Sequence, residues 1–199
     1  MLTSPISSFF CPPRIHLGIG AHTQLASVLQ GYDCQRLFIA LDRALQGGDF
    51  YQRIEAILAE QNIATAVFTD IEADPSDTTV ERAFAVCRAH NATAILAVGG
   101  GSTMDVAKAV GILATNGGRI HDYEGIEKFS KPPLPLIAIP TTAGTGSEVS
   151  GSCVISDTTR HLKMSIRHAA LNPAAVAILD PLALVTMPGH VAAHSGLDA

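Results

Sequence analysis

At 199 residues, with 47% hydrophobic and 16% charged residues, the chain has the length of one large domain or two small ones and enough apolar content for a proper buried core. A formal charge of -5, no Trp and only three Tyr supply neither a basic stripe to neutralise a phosphate backbone nor a platform for base stacking, which argues against a nucleic-acid partner. The apolar residues come in short runs broken by Gly, Pro and Asp, well below the roughly 18 needed to cross a bilayer, so no membrane span is expected.

Residues 1–20 carry Pro5, Pro12, Pro13, Gly18 and Gly20 and read as an extended arm or edge strand. A rhythm then begins. Residues 36–42, 63–70, 93–100 and 134–140 are near-continuous apolar runs followed by turn signals, the pattern of strands buried on both faces. Between them, residues 49–61, 76–91 and 102–116 repeat apolar positions at helical spacing, with Ile54, Ile57 and Leu58 on one face and Val80, Phe84 and Cys87 on another. Strand–helix alternation of this length calls for right-handed crossovers and a parallel sheet covered on both sides, a Rossmann-like α/β layer. After Pro140 shorter segments at 152–157, 161–168 and 176–180 read as further strands or a hairpin that extend the layer. One domain is expected up to residue 188, with residues 189–199 opening a helix that belongs to a second. Cys11, Cys34, Cys87 and Cys153 form no C-x-x-C pair and no cleavable leader precedes them, which points to a reduced, cytoplasmic home.

Two segments carry chemistry. Gly99-Gly100-Gly101-Ser102 follows a buried strand and opens a helix. Glycines lacking Cβ let a diphosphate approach the backbone, and the free N–H groups of the helix start point at it. Ser102 and Asp105 are also spaced as a capping box, and a plain strand-to-helix turn is the alternative reading. The segment is neither the G-x-G-x-x-G fingerprint nor a P-loop, so a different dinucleotide cradle is implied. Asp42 ends the first strong strand, where a carboxylate can accept from both hydroxyls of an adenosine ribose and repel a 2′-phosphate, favouring NAD over NADP; an ordinary turn aspartate is the alternative. The second segment, residues 140–148 (PTTAGTGSE), places Thr141, Thr142, Thr145 and Ser147 beside two glycines at a strand end, suited to a phosphate, ribose or carboxamide; a structural Thr/Gly loop is the alternative.

These two motifs, with Asp180-Pro181 and residues 195–199 (SGLDA), occur in the order found in the iron-containing (group III) alcohol dehydrogenases, and the chain resembles that family over nearly its whole length. The resemblance implies the architecture shared with dehydroquinate synthase, with Gly99, Gly100, Gly101 and Ser102 cradling the cofactor diphosphate and Asp42 at the adenosine ribose. It implies cofactor-site roles for Thr141, Thr142, Thr145 and Ser147, for Asp105 of the first motif, facing the substrate side, and for Lys163, which matches a lysine near the nicotinamide end. Asp198 matches the first of four metal ligands, one aspartate and three histidines, and leans to the metal-dependent branch of the superfamily. The resemblance places the three histidines, and the helical domain presenting them, beyond residue 199. His190 and His194 share a helix face but lack a third ligand. The remaining histidines read as solvated or packed.

The function implied is hydride transfer between NAD and a small alcohol or aldehyde, with Fe2+ or Zn2+ as Lewis acid in the complete protein. The alternative is a catalytically silent NAD-binding fragment or one subunit of a split enzyme. A homo-oligomer, or association with the helical half, is expected because Leu197 at the end of the chain is left without apolar neighbours to cover. A glycerol dehydrogenase or dehydroquinate synthase relative shares the architecture, but the TTAGTGSEV loop argues against both.

Overall fold

A computed structural model of the chain describes residues 10–198, and of Asp198 the backbone alone; the first part of the expected arm, with Pro5, lies outside the described residues. The strands are β1 (Arg14–Leu17), β2 (Arg36–Leu41), β3 (Ala64–Phe68), β4 (Ala94–Gly99), β5 (Gly125–Ile126), β6 (Leu136–Pro140), β7 (Ser152–Asp157), β8 (Leu162–Arg167) and β9 (Val176–Leu179). The α-helices are α1 (Leu25–Gly31), α2 (Asp49–Glu60), α3 (Asp77–His90), α4 (Gly101–Asn116) and α5 (Gly189–Asp198).

Six strands form one sheet in the order β1-β9-β6-β4-β2-β3, and every neighbouring pair is parallel. Because side chains alternate along a strand, each apolar run feeds two cores at once. Phe38, Ala40, Ile95, Ala97 and Ala138 point to the face covered by α3 and α4. Leu37, Ile39, Leu96, Val98, Ile137 and Ile178 point to the other, under α1 and α2. Helix α2 buries Tyr51, Ile54 and Leu58, while the expected Ile57 is only partly covered. Helix α3 starts at Ser76, whose hydroxyl accepts from the Thr79 N–H at 3.2 Å, and ends at Asn91 in the left-handed region, a conformation asparagine tolerates. Helix α4 lies between the sheet and β7, and residues Val106–Leu113 are buried without interruption.

The expectation that all three late segments extend the layer needs correcting. Only β9 joins the main sheet, where Val176, Ala177 and Ile178 are buried. β7 and β8 form an antiparallel hairpin in a separate three-stranded sheet with β5. The reason is visible in the pattern: Cys153, Ile155, Met164 and Ile166 are buried and their neighbours are not, so the hairpin has one apolar face and covers α4. Its tip is fastened to the start of α3, where His121 Nε2 lies 3.0 Å from Asp77 Oδ2 and 3.3 Å from Asp157 Oδ2. Arg160 completes this network by donating to Asp157.

At the other edge, the turn after β1 is held by the residue that ends β9. The fully buried Asp180 carboxylate accepts from the N–H groups of Gly20 (3.2 Å), His22 (3.0 Å) and Leu182 (3.0 Å), and His22 Nδ1 lies 2.5 Å away. Burial alone would raise the Asp180 carboxyl, but these donors outweigh it and hold the group below its ordinary value. Glu72 is likewise held at about 2, against burial, by donors from Ser76 and Thr79, and Asp157 is held at about 2 by the backbone and side chain of Arg160.

Two outcomes are expected. Asp180→Ala removes the acceptor shared by four donors, two of them buried and two partly buried, and lowers stability by about 3 kcal/mol in urea unfolding; an unchanged midpoint would show that the clamp carries no weight. All three carboxyls bind protons more weakly folded than unfolded, so their stabilisation is complete above the ordinary carboxyl values of 3.8–4.5 and is lost as pH falls towards about 2. Denaturant midpoints should therefore drop through that acidic window, and less steeply for Glu72→Gln.

Candidate functional site

The sheet's connectivity reverses beside β2: the chain passes from β2 outward to β3, then returns to place β4 on the opposite side of β2. Carboxyl ends of strands at such a reversal open a crevice between diverging loops, where open α/β sheets take their ligands. Here Asp42 follows β2 on one side of the crevice and Gly99–Ser102 follows β4 on the other.

The glycine turn is tightly constrained. A Cβ at Gly99 would overlap the Thr103 side chain, and one at Gly100 would come within 3.2 Å of Thr142 Cγ2 and 3.3 Å of its Oγ1. At Gly101 the nearest atoms, those of Thr145, are 3.5 Å away. The expected capping box between Ser102 and Asp105 does not form. Helix α4 begins one residue earlier, its N-cap is Gly100, and no side chain caps it. The first N–H groups of a sixteen-residue helix are thereby left without a side-chain acceptor at the mouth of the crevice, a setting suited to an anion.

Residues 141–151 form the facing wall. The Thr141 N–H donates to the Gly99 carbonyl at 3.0 Å, continuing the β4–β6 ladder into the loop. Thr142 follows, with its Oγ1 buried and without a hydrogen-bond partner. An unpaired buried hydroxyl costs roughly 1–3 kcal/mol, so this atom is one that an incoming polar group would satisfy. Thr145 is exposed, and its hydroxyl accepts weakly from the Ser147 N–H at 3.4 Å.

Ser147 itself is buried and faces inward. Its hydroxyl donates to Asp105 Oδ1 at 3.2 Å, while Asp105 Oδ2 accepts from the Val154 N–H at 3.1 Å. Lys108, only 2% exposed, donates to Ser147 Oγ (3.3 Å), the Ser150 carbonyl (3.0 Å) and the Ser152 carbonyl (2.7 Å). Burial raises the Asp105 carboxyl, with Lys108 pulling the other way, and burial lowers the Lys108 ammonium. Lys108, Ser150 and Ser152 escaped the sequence reading; the available signal was a lone lysine inside the apolar run Val106–Leu113.

Asp42 Oδ1 accepts from the Ala44 N–H at 3.0 Å and caps the short turn that follows. The turn-aspartate role is therefore real, and the second oxygen takes no donor among the described residues. Lys163, on β8, donates to Asp74 Oδ1 in the β3–α3 loop at 2.7 Å, both side chains being mostly exposed. The side chain of Asp198 lies outside the described residues, although α5 does reach that position. Gly144, at φ +129°, packs so closely on Ser195 of α5 that any Cβ would overlap its carbonyl. Beyond Thr142, a cavity of about 270 Å³ continues along the strand ends, lined among others by Leu17, Gly144, Leu179, Asp180 and Leu184.

The chain matches the family described as "Iron-containing alcohol dehydrogenase" over residues 12–181. It is 36% identical to the NAD-dependent methanol dehydrogenase of Bacillus methanolicus over 194 residues, covering 98% of this chain and 51% of that one. It is 40% identical to the 1,3-propanediol dehydrogenase of Klebsiella pneumoniae over 142 residues, covering 71% and 36%. Among solved structures, a 1,3-propanediol oxidoreductase superposes with a TM-score of 0.92 at 32% identity, covering 98% of this chain and 50% of that chain. A sulfoacetaldehyde reductase from Bifidobacterium kashiwanohense, solved in complex with NAD+, superposes with a TM-score of 0.86 at 28% identity, covering 98% and 51%. The chain thus spans about half the length of the first of these relatives. On matched length and identity together, it belongs to the iron-containing alcohol dehydrogenase family.

Proposed function

We propose that this chain supplies the NAD-binding half of an alcohol dehydrogenase that moves a hydride between NAD and a small alcohol or aldehyde. The observation that carries this reading is the unpartnered Thr142 hydroxyl set against Gly100, beside a long helix whose first N–H groups have no side-chain cap. A diphosphate at Gly99–Ser102 would accept from those N–H groups, and Thr142 would donate to a neighbouring cofactor oxygen. The second oxygen of Asp42, which takes no donor among the described residues, would accept from a ribose hydroxyl and repel a 2′-phosphate, which favours NAD over NADP. Thr141 and Thr145 flank the same wall, and Lys163 reaches the cofactor once it leaves Asp74.

The relatives named for methanol, choline and 1,3-propanediol support a small alcohol as substrate class. Asp198 would contribute one ligand to a divalent iron or zinc in the complete protein, where the metal supplies Lewis-acid polarisation of the substrate oxygen. A single carboxylate is too few ligands to hold such an ion, so the other ligands come from outside these 199 residues. Because the chain spans half its relatives' length, the reading in which it binds cofactor without turning over substrate on its own is favoured for the isolated chain. The exposed Val185 and Leu197 support association with a helical partner segment or a second copy. Four unpaired cysteines fit a reduced, cytoplasmic setting.

Calorimetric titration tests this. NADH should bind in preference to NADPH, with or without Fe2+ or Zn2+, and Gly100→Val should abolish binding by filling the space next to Thr142. Thr142→Val should weaken NADH about fivefold while slightly stabilising the free chain, because it removes an unsatisfied buried hydroxyl. Failure of the unaltered chain to bind either dinucleotide would overturn the reading.

A further inference from the structure

The residue after Asp42 is a cation, and its guanidinium is already held. β2 and β3 run side by side with Ala40 opposite Phe68, so Asp42 and Asp70 stand at the same level, two residues beyond that pair, where the two strands end. Arg43 reaches across from the end of β2 and donates through Nη2 to Asp70 Oδ1 at 3.0 Å. Arg82 of α3 donates to the other oxygen, Asp70 Oδ2. Arg82 is fixed in turn, because its Nη2 donates to Thr79 Oγ1 at 2.8 Å and that hydroxyl donates to Glu72 Oε2 at 2.7 Å. A continuous chain of polar contacts thus runs from Glu72 and Thr79 through Arg82 and Asp70 to Arg43, beside Asp42.

This chain does little for stability. Arg43, Asp70 and Arg82 are all more than half exposed, and exposed ion pairs contribute only about 0–1 kcal/mol each. Its consequence lies in where the Arg43 guanidinium is kept and what charge surrounds it. An arginine beside the ribose-reading carboxylate is the group that accommodates a 2′-phosphate in a dinucleotide site, since its planar fork can donate to two phosphate oxygens at once. Here a carboxylate occupies that fork. Asp42 and Asp70 offset Arg43 and Arg82, so these four groups carry no net positive charge. A 2′-phosphate, bearing about two negative charges, would have to draw Arg43 away and leave Asp70 facing it unpaired.

We propose that Asp70 is a positioning residue that sets dinucleotide specificity: by occupying Arg43 it keeps the guanidinium from a 2′-phosphate, so that NADP is excluded by a sequestered cation as well as by the Asp42 carboxylate. This rests on the dinucleotide reading of the crevice, with Asp42 at the adenosine ribose. Asp70 acts through Arg43 and does not touch the cofactor, so its removal alters the discrimination and not the binding of NAD.

The test is calorimetric titration of the 199-residue chain with NADH and NADPH at about 20 mM and about 500 mM salt, comparing Asp70→Ala, Asp70→Glu and the double variant Asp70→Ala/Arg43→Ala. At low salt Asp70→Ala should strengthen NADPH about fivefold or more while NADH stays within about twofold. The gain should shrink at high salt, where exposed charges are screened, and should vanish in the double variant. Asp70→Glu keeps a carboxylate within reach of Arg43 and should behave as the unaltered chain. All these positions are exposed, so the variants are expected to fold. Unchanged NADPH affinity in Asp70→Ala, a parallel gain for both dinucleotides, a gain that survives loss of Arg43, or an equal gain in Asp70→Glu would each overturn the proposal while the cofactor reading stands. If neither the unaltered chain nor Asp70→Ala binds either dinucleotide, the cofactor reading itself fails and the proposal falls with it.

Discussion

The approach of Gly100 to Thr142 is the constraint around which the rest of this structure is arranged. Two loops that leave neighbouring strands are brought to within a methyl group of each other, so that a Cβ at Gly100 would crowd Thr142, while one at Gly99 would overlap Thr103 of α4. That proximity has consequences in three directions. It leaves α4 with a glycine as its N-cap, so its leading N–H groups find no side-chain acceptor. It buries the Thr142 hydroxyl away from water without a partner. It also requires a fixed loop, because a wall made of threonines and glycines has little apolar surface of its own to hold it in place.

Rigidity is supplied from beneath rather than from within. The six-stranded parallel sheet is buried on both faces, so its strand ends are fixed to the precision of core packing. The hairpin of β7 and β8 then clamps α4 against that sheet, fastened at one end by Lys108 and Asp105 and at the other by the Asp77–His121–Asp157 network. At the opposite edge Asp180 ties β1 to the end of β9 and closes the cavity that continues from Thr142. Among the described residues the buried carboxylates Asp77, Asp157 and Asp180 and the buried Lys108 thus sit where loops are held and not within the apolar packing.

Family membership and geometry answer different questions. The match over residues 12–181 establishes which family the chain belongs to, and the chain spans about half the length of the first of its relatives. The geometry supports the proposed cofactor site: the uncapped start of α4, the unpartnered Thr142 hydroxyl and the Asp42 carboxylate all lie at the carboxyl ends of neighbouring strands. These are the groups an anionic, hydroxyl-rich ligand would satisfy.

Much of the layer was legible from residues alone. Apolar runs such as Ala94–Gly99 need cover on both faces, which only a parallel sheet between helices provides, and the helical spacing around Ile54 and Val80 identified the helices that cover it. The glycine turn and the threonine loop were legible too, because conformational freedom and hydroxyl chemistry are local properties. What tertiary structure decided was which of these groups are spent internally. Ser102 was read as a cap, but the helix starts at Gly101 with Gly100 as its N-cap, where a side chain would crowd Thr142. The one-sided alternation of β7 and β8 was legible, yet only packing on α4 removes them from the main sheet. Whether Asp105 and Ser147 face a ligand or each other depends on residues about forty positions apart meeting in space, and no local pattern encodes that meeting. Residue type determined what each group can donate or accept; the fold determined which of them remain free to do so.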